Sequence, residues 1–258
     1  MLEDSDSVLQ DSLVYDVVDV PLSDAVDENF NDFLYAFLYN TNFQSARISL
    51  PVSVSSCDGK GDMVLKRFSD FHDLLSSVDQ SYYVLILNSL DELESDPSSF
   101  ATHAAVNLVN LQEGSVNRLV CSREKGEWNV SSIRSFSFDS AESCDFLHFY
   151  QQFALDSLYR QSHLSQPIGI SMVDDDGEVI EGTIDPDQFS VFSPELPFGN
   201  FILLEYGDAG MASGSMVPML PNIVGKCVMV KCGMASSMMD VLCFERDGSE
   251  WVLTRLEE

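Results

Sequence analysis

Basic residues are scarce in this chain: 13 Lys and Arg stand against 42 Asp and Glu in 258 residues, a formal net charge of −29 at pH 7. A surface with that balance repels phosphate backbones and anionic headgroups at long range. It excludes general nucleic-acid binding through a basic face and docking on an anionic membrane. Long hydrophobic runs are also missing. No stretch approaches the roughly 18 apolar residues of a membrane-spanning helix, and the longest, Tyr82 to Leu87 and Phe201 to Leu204, have the length of buried strands. The opening Met1-Leu2-Glu3-Asp4-Ser5-Asp6 lacks the positive charge and apolar core of a secretory signal. The six cysteines (Cys57, Cys121, Cys144, Cys227, Cys232 and Cys243) include no CxxC pair. This argues against a disulfide scaffold and for reduced, mostly buried thiols in a cytoplasmic protein.

Catalytic and ligand signatures are equally thin. The four histidines, His72, His103, His148 and His163, form no HExxH arrangement. No GxSxG elbow occurs, although Ser213-Gly214-Ser215 has the residue types. Gly207, Gly210 and Gly214 precede no Gly-Lys-Ser/Thr, and Val224-Gly225-Lys226-Cys227 lacks the hydroxyl that would complete a phosphate cradle. In Asp174-Asp175-Asp176-Gly177-Glu178 a calcium loop would need ligands where Met172 and Thr183 stand, so the run reads as an acidic hairpin tip. Cys144 and His148 share a helix face without the further ligands zinc requires. The expectation is no cofactor, no metal and no catalytic residue.

What is present is an ordinary globular mix, 45% hydrophobic and 21% charged, and a chain that resembles itself. Leu119-Val120-Cys121, then Arg123 to Trp128, reappears as Val241-Leu242-Cys243, then Glu245 to Trp251, so the only two tryptophans fall at matching positions. Asp32-Phe33-Leu34 matches Asp145-Phe146-Leu147. Pro51-Val52-Ser53-Val54-Ser55 matches Pro167-Ile168-Gly169-Ile170-Ser171, each followed by an Asp-Gly turn. Tyr83 to Leu87 matches Phe201 to Leu204 as central strands. The order of these matches predicts an α+β fold of two tandem diverged copies of a helix-plus-antiparallel-sheet unit, related by a pseudo-two-fold axis. Residues 1–28 form an acidic N-terminal segment, either flexible or an edge strand through Val14 to Val20; 29–136 form the first repeat and 137–258 the second. Ser5 and Ser7, set between acids, are candidate phosphorylation sites.

Within each unit, apolar residues at helical spacing predict one helix carrying Phe30, Phe33, Leu34, Phe37 and Leu38. A second carries Phe146, Phe149, Tyr150, Phe153, Leu155 and Leu158. A further helix is expected over Ser98 to Val109, a loop over Gly207 to Met216, and a polar junction over Arg134 to Ser143. Trp128 and Trp251 are expected to plug the two sheets, each N–H meeting a carbonyl.

The function these features favour is a non-enzymatic, acidic interaction protein that binds a basic or hydrophobic protein partner, as secretion chaperones, immunity proteins and nucleic-acid mimics do. Its contact residues are expected at Met211, Met216 and Met219 in the glycine-rich loop, adaptable apolar side chains, and at Asp174, Asp175 and Asp176. The alternative is an enzyme with a carboxylate site in the cleft between the repeats.

Overall fold

The computed structural model of the chain describes residues 22–56, 62–95, 97–140, 143, 145–173, 176–192, 195–207, 223 and 225–257. Helix α1 (Phe30–Tyr39) begins at Asn29, whose side chain accepts from the Asp32 N–H at 2.8 Å, with Asp32 itself placed favourably in the first turn. It ends at Asn40, which in turn caps α2 (Thr41–Ala46) by accepting from Phe43 N–H. Phe30, Phe33, Leu34, Phe37 and Leu38 are all buried, as their spacing predicts. Helix α5 (Asp145–Leu155) buries Phe146, Phe149, Tyr150 and Phe153, but the stripe stops there. Asp156 ends the helix and caps α6 (Ser157–Ser162), leaving Leu155 and Leu158 exposed. The short helices α3 (Phe68–Ser76), α4 (Pro97–Phe100) and α7 (Phe189–Phe192) complete the set among the described residues.

The strands are β1 (Val52–Ser56), β2 (Met63–Leu65), β3 (Asp79–Leu87), β4 (His103–Asn110), β5 (Ser115–Glu124), β6 (Glu127–Ser137), β7 (Leu164–Val173), β8 (Val179–Ile184), β9 (Asn200–Gly207), β10 (Lys226–Gly233), β11 (Met239–Asp247) and β12 (Glu250–Glu257). They form one sheet in the order β2-β1-β6-β5-β4-β9-β3-β10-β11-β12-β7-β8. The fold is α+β with a large mixed sheet. The expected antiparallel sheet is corrected at three places, because β1–β6, β3–β9 and β7–β12 pair in parallel. Nor is the sheet divided at residue 137: β3 lies between β9 and β10.

Side chains alternate across a pleated strand, and the central strands feed a core on each face. Leu85, Ile202, Leu204, Val228 and Val230 join α1, α2 and α3 in one core; Val84, Ile86, Phe201, Leu203, Cys227 and Met229 join α5 and α7 in the other. Strands buried on both faces need continuous apolar runs, which is why Tyr83 to Leu87 and Phe201 to Leu204 occupy the middle.

Two other expectations are overturned. Residues 103–109 are strand β4, not helix; only Pro97–Phe100 makes a helical turn. The alanines there suit a helix, but the segment is buried on both faces between β5 and β9, and tertiary pairing outweighs propensity. The expected polar junction begins as strand β6, with Phe136 and Phe138 buried in the second core.

Candidate functional site

The acidic hairpin predicted around Gly177 joins β7 to β8, and Gly177 takes a left-handed φ of 83° at its turn. Asp176 and Glu178 are exposed there. The second arm, β8, is the last strand of the sheet, and its residues from Val179 to Thr183 all face solvent. Val173, Val179 and Ile180 expose more than half their surface, at 59%, 62% and 53%. Glu181 is held by the Arg255 guanidinium through both oxygens at 2.8 Å. Seven acids lie between positions 174 and 187, and no Lys or Arg lies between 161 and 225. The result is an apolar strand edge set in a locally acidic surface. Of the residues expected to bind a partner, only Asp176 is placed here. Asp174, Asp175, Met211, Met216 and Met219 lie outside the described residues, as do Val14 to Val20, Ser5, Ser7, Cys57 and Cys144.

A second concave feature, a groove of about 290 Å³, crosses β10, β11 and β12. Lys226 and Glu245 pair there at 2.7 Å, beside Cys243, Thr254 and Arg255. Burial, aided by the Glu257 carboxylate, pushes the Cys243 thiol up to about 11. A thiol held protonated is a poor nucleophile at neutral pH. Cys227 and Cys232 point to opposite faces of β10, one into each core.

Two ionic clusters are buried in the sheet. Arg118 on β5 pairs with Glu205 on β9, next to Asn107 on β4, whose amide N–H donates to the Leu203 carbonyl at 3.0 Å. Lys231 on β10 donates to the Glu195 carbonyl oxygen at 3.1 Å, lies 3.5 Å from the Asp240 carboxylate, and sits 5.1 Å above the Tyr82 ring. Arg118–Glu205 and the approach of Lys231 to Tyr82 join residues far apart in sequence, with no local pattern to announce them, whereas Lys231 and Asp240 face each other across the β10–β11 hairpin. The apolar edge was readable in part: Val179-Ile180 sits inside the acidic run, but alternation alone does not say which strand ends a sheet.

The middle of the sheet, β4-β9-β3-β10, is continuously paired; at one end of these strands a pocket of about 400 Å³ is lined by residues of both halves, Asp79, Asn110 and Glu113 with Phe198, Gly199 and Asn200. Among the described residues no group of three or more His, Cys, Asp or Glu is arranged to hold a metal ion. No helix there is long and apolar enough to cross a membrane.

The fold is similar to that of an NTF2-like protein from Bacteroides fragilis NCTC 9343, with a TM-score of 0.71 and 23% identity, covering 92% of this chain and 98% of that one. At that identity the likeness is one of fold. No curated protein matches the chain. Residues 9–258 match the family described as a domain of unknown function, DUF4348, and with nearly the whole sequence included the chain belongs to that family.

Proposed function

We propose that the chain is a non-enzymatic interaction module whose acidic surface engages a basic or partly apolar protein. The observation that carries this is the β7–β8 end of the sheet, where exposed Val173, Val179 and Ile180 lie among carboxylates. Exposed apolar side chains in a mainly acidic surrounding, where Arg255 is the neighbouring cation and is paired with Glu181, suit a partner that supplies the opposite charge and covers them. The test is retention of proteins from the native cell on immobilised chain at about 0.1 M and about 1 M salt, across which the screening length falls from about 10 Å to about 3 Å. Basic proteins should be held at the lower salt and released at the higher. Retention that ignores salt would mean the −29 charge serves solubility alone.

We also infer that the two halves are diverged copies of one unit about a pseudo-two-fold axis. Supporting this is the strand order, which pairs β2 with β8, β1 with β7, β6 with β12, β5 with β11 and β4 with β10 from the two ends inward, with β9 and β3 exchanged at the centre. Trp128 and Trp251 stand second in β6 and β12, each edge-on to the first phenylalanine of its helix, Phe30 at 4.8 Å and Phe146 at 5.5 Å.

A further inference from the structure

We propose that β8 is a docking edge that takes up an extended, lysine- or arginine-bearing segment of a partner protein as an added strand. This rests on the binding role above and names its contact. An end strand turns the N–H and C=O groups of alternate residues outward, a template for another chain. Proteins commonly blunt such edges with Lys, Pro, bulges or shortness. The opposite end of the sheet uses shortness, since β2 has only three residues. Strand β8 has six residues, contains neither Lys nor Pro, and runs in unbroken register with β7 from Val179↔Val173 to Ile184↔Ile168. Among the described residues no strand covers its outer side.

The side chains specify the occupant. Val179 and Ile180 are neighbours, so they project to opposite faces of the sheet. An added strand therefore meets an exposed apolar side chain on each face. Glu181, on the face of Val179, is already held by Arg255, while Asp176, Glu178, Asp185 and Asp187 stand exposed at the two ends of the strand. The complementary segment carries two adjacent apolar residues flanked by basic ones. A second copy of the chain fits less well, because its β8 is flanked by the same run of carboxylates, and like charges brought together across a strand pair destabilise it. The N-terminal segment meets the same objection: residues 1–21 hold six acids and no Lys or Arg.

The probe is a fluorescein-labelled Thr-Lys-Val-Val-Lys-Thr peptide titrated into the full chain at low salt, alongside Thr-Lys-Ser-Ser-Lys-Thr and Thr-Glu-Val-Val-Glu-Thr. The Lys-Val peptide should bind most tightly, and amide hydrogen exchange should slow over residues 179–183. Ile180→Lys, on an exposed side chain, should weaken it about tenfold or more with the melting temperature nearly unchanged. Val179→Lys provides an independent variant on the other face. Equal binding of the Ser and Val peptides, or binding with no protection of 179–183, overturns the docking edge and leaves the acidic-binder reading in place. No salt-sensitive binding of either lysine peptide overturns both.

Discussion

Burying a thiol or a phenol disfavours its charged form, and several such groups lie in this sheet. Burial pushes the Cys121 thiol up to about 12 and the Cys243 thiol to about 11, and it raises the Tyr82 and Tyr150 hydroxyls well above their ordinary value. In the unfolded chain a thiol ionises near about 8.5. Between that value and the folded one, the folded state keeps a proton that the unfolded state has lost, so stability falls as pH rises. The urea midpoint should hold steady from about pH 7 to about 8.5 and then decline through about pH 11. Replacing Cys243 by Ala should shallow that decline, and a midpoint constant to about pH 11 would contradict the burial argument. Of the described cysteines, Cys121 and Cys227 are core residues, as their place in apolar segments suggests, and Cys232 and Cys243 are half-buried. The indole partners were not legible in the sequence. Trp128 and Trp251 are buried as expected, yet among the described residues neither Nε1–H meets an acceptor. Each ring instead lies edge-on against a phenyl ring, a geometry no sequence pattern encodes.

Elements are joined here by a few charged side chains whose sequence neighbours say nothing of their partners. Asp27, ahead of α1, accepts from the Trp128 backbone N–H at 2.9 Å and from the Arg47 guanidinium at 2.7 Å. It ties the entry of α1 to the end of α2 and to the start of β6. Arg47 also donates to the Trp128 carbonyl and lies over the Phe43 ring. Asp27→Ala takes the nearer carboxylate from a largely buried Arg47, leaving it Glu127 at 3.8 Å, and removes two charge-assisted hydrogen bonds, so it should cost on the order of 2–3 kcal/mol. Equilibrium urea unfolding measures this, with Asp24→Ala, a nearby acid without these contacts, as the comparison; equal losses for the two would refute the tie. Helices α1 and α5 were readable because their 3.6-residue stripes face one core each. Strand β4 was misread as helix because its period is hidden, both of its faces being apolar.

For the whole molecule, the decisive fact is the exchange at the centre of the sheet. Among the described residues, strand β3 pairs with β9 and β10, both from the second half, while β9 pairs with β4 and β3, both from the first. Neither strand has a partner within its own half among the described residues. Separate fragments 1–136 and 137–258 should therefore each lack cooperative unfolding, since each leaves a long apolar strand unpaired. Mixed or co-expressed, they should recover a single transition. A first fragment that unfolds cooperatively alone would show that β3 finds another place in the sheet.

The sequence by itself determined the acidity, the stripes of α1 and α5, the alternating hairpin strands, the matching tryptophan positions and the two apolar runs that become central strands. All of these are set by composition or by periods of two and 3.6 residues, which local segments carry. Only the tertiary structure decided that the sheet is single and mixed, that β3 and β9 trade places, that Arg118 meets Glu205, and that β8 ends the sheet. Those outcomes depend on which strands become neighbours across more than 80 residues of chain, and an apolar run pairs equally well, as sequence, with any strand that can lie beside it in the sheet.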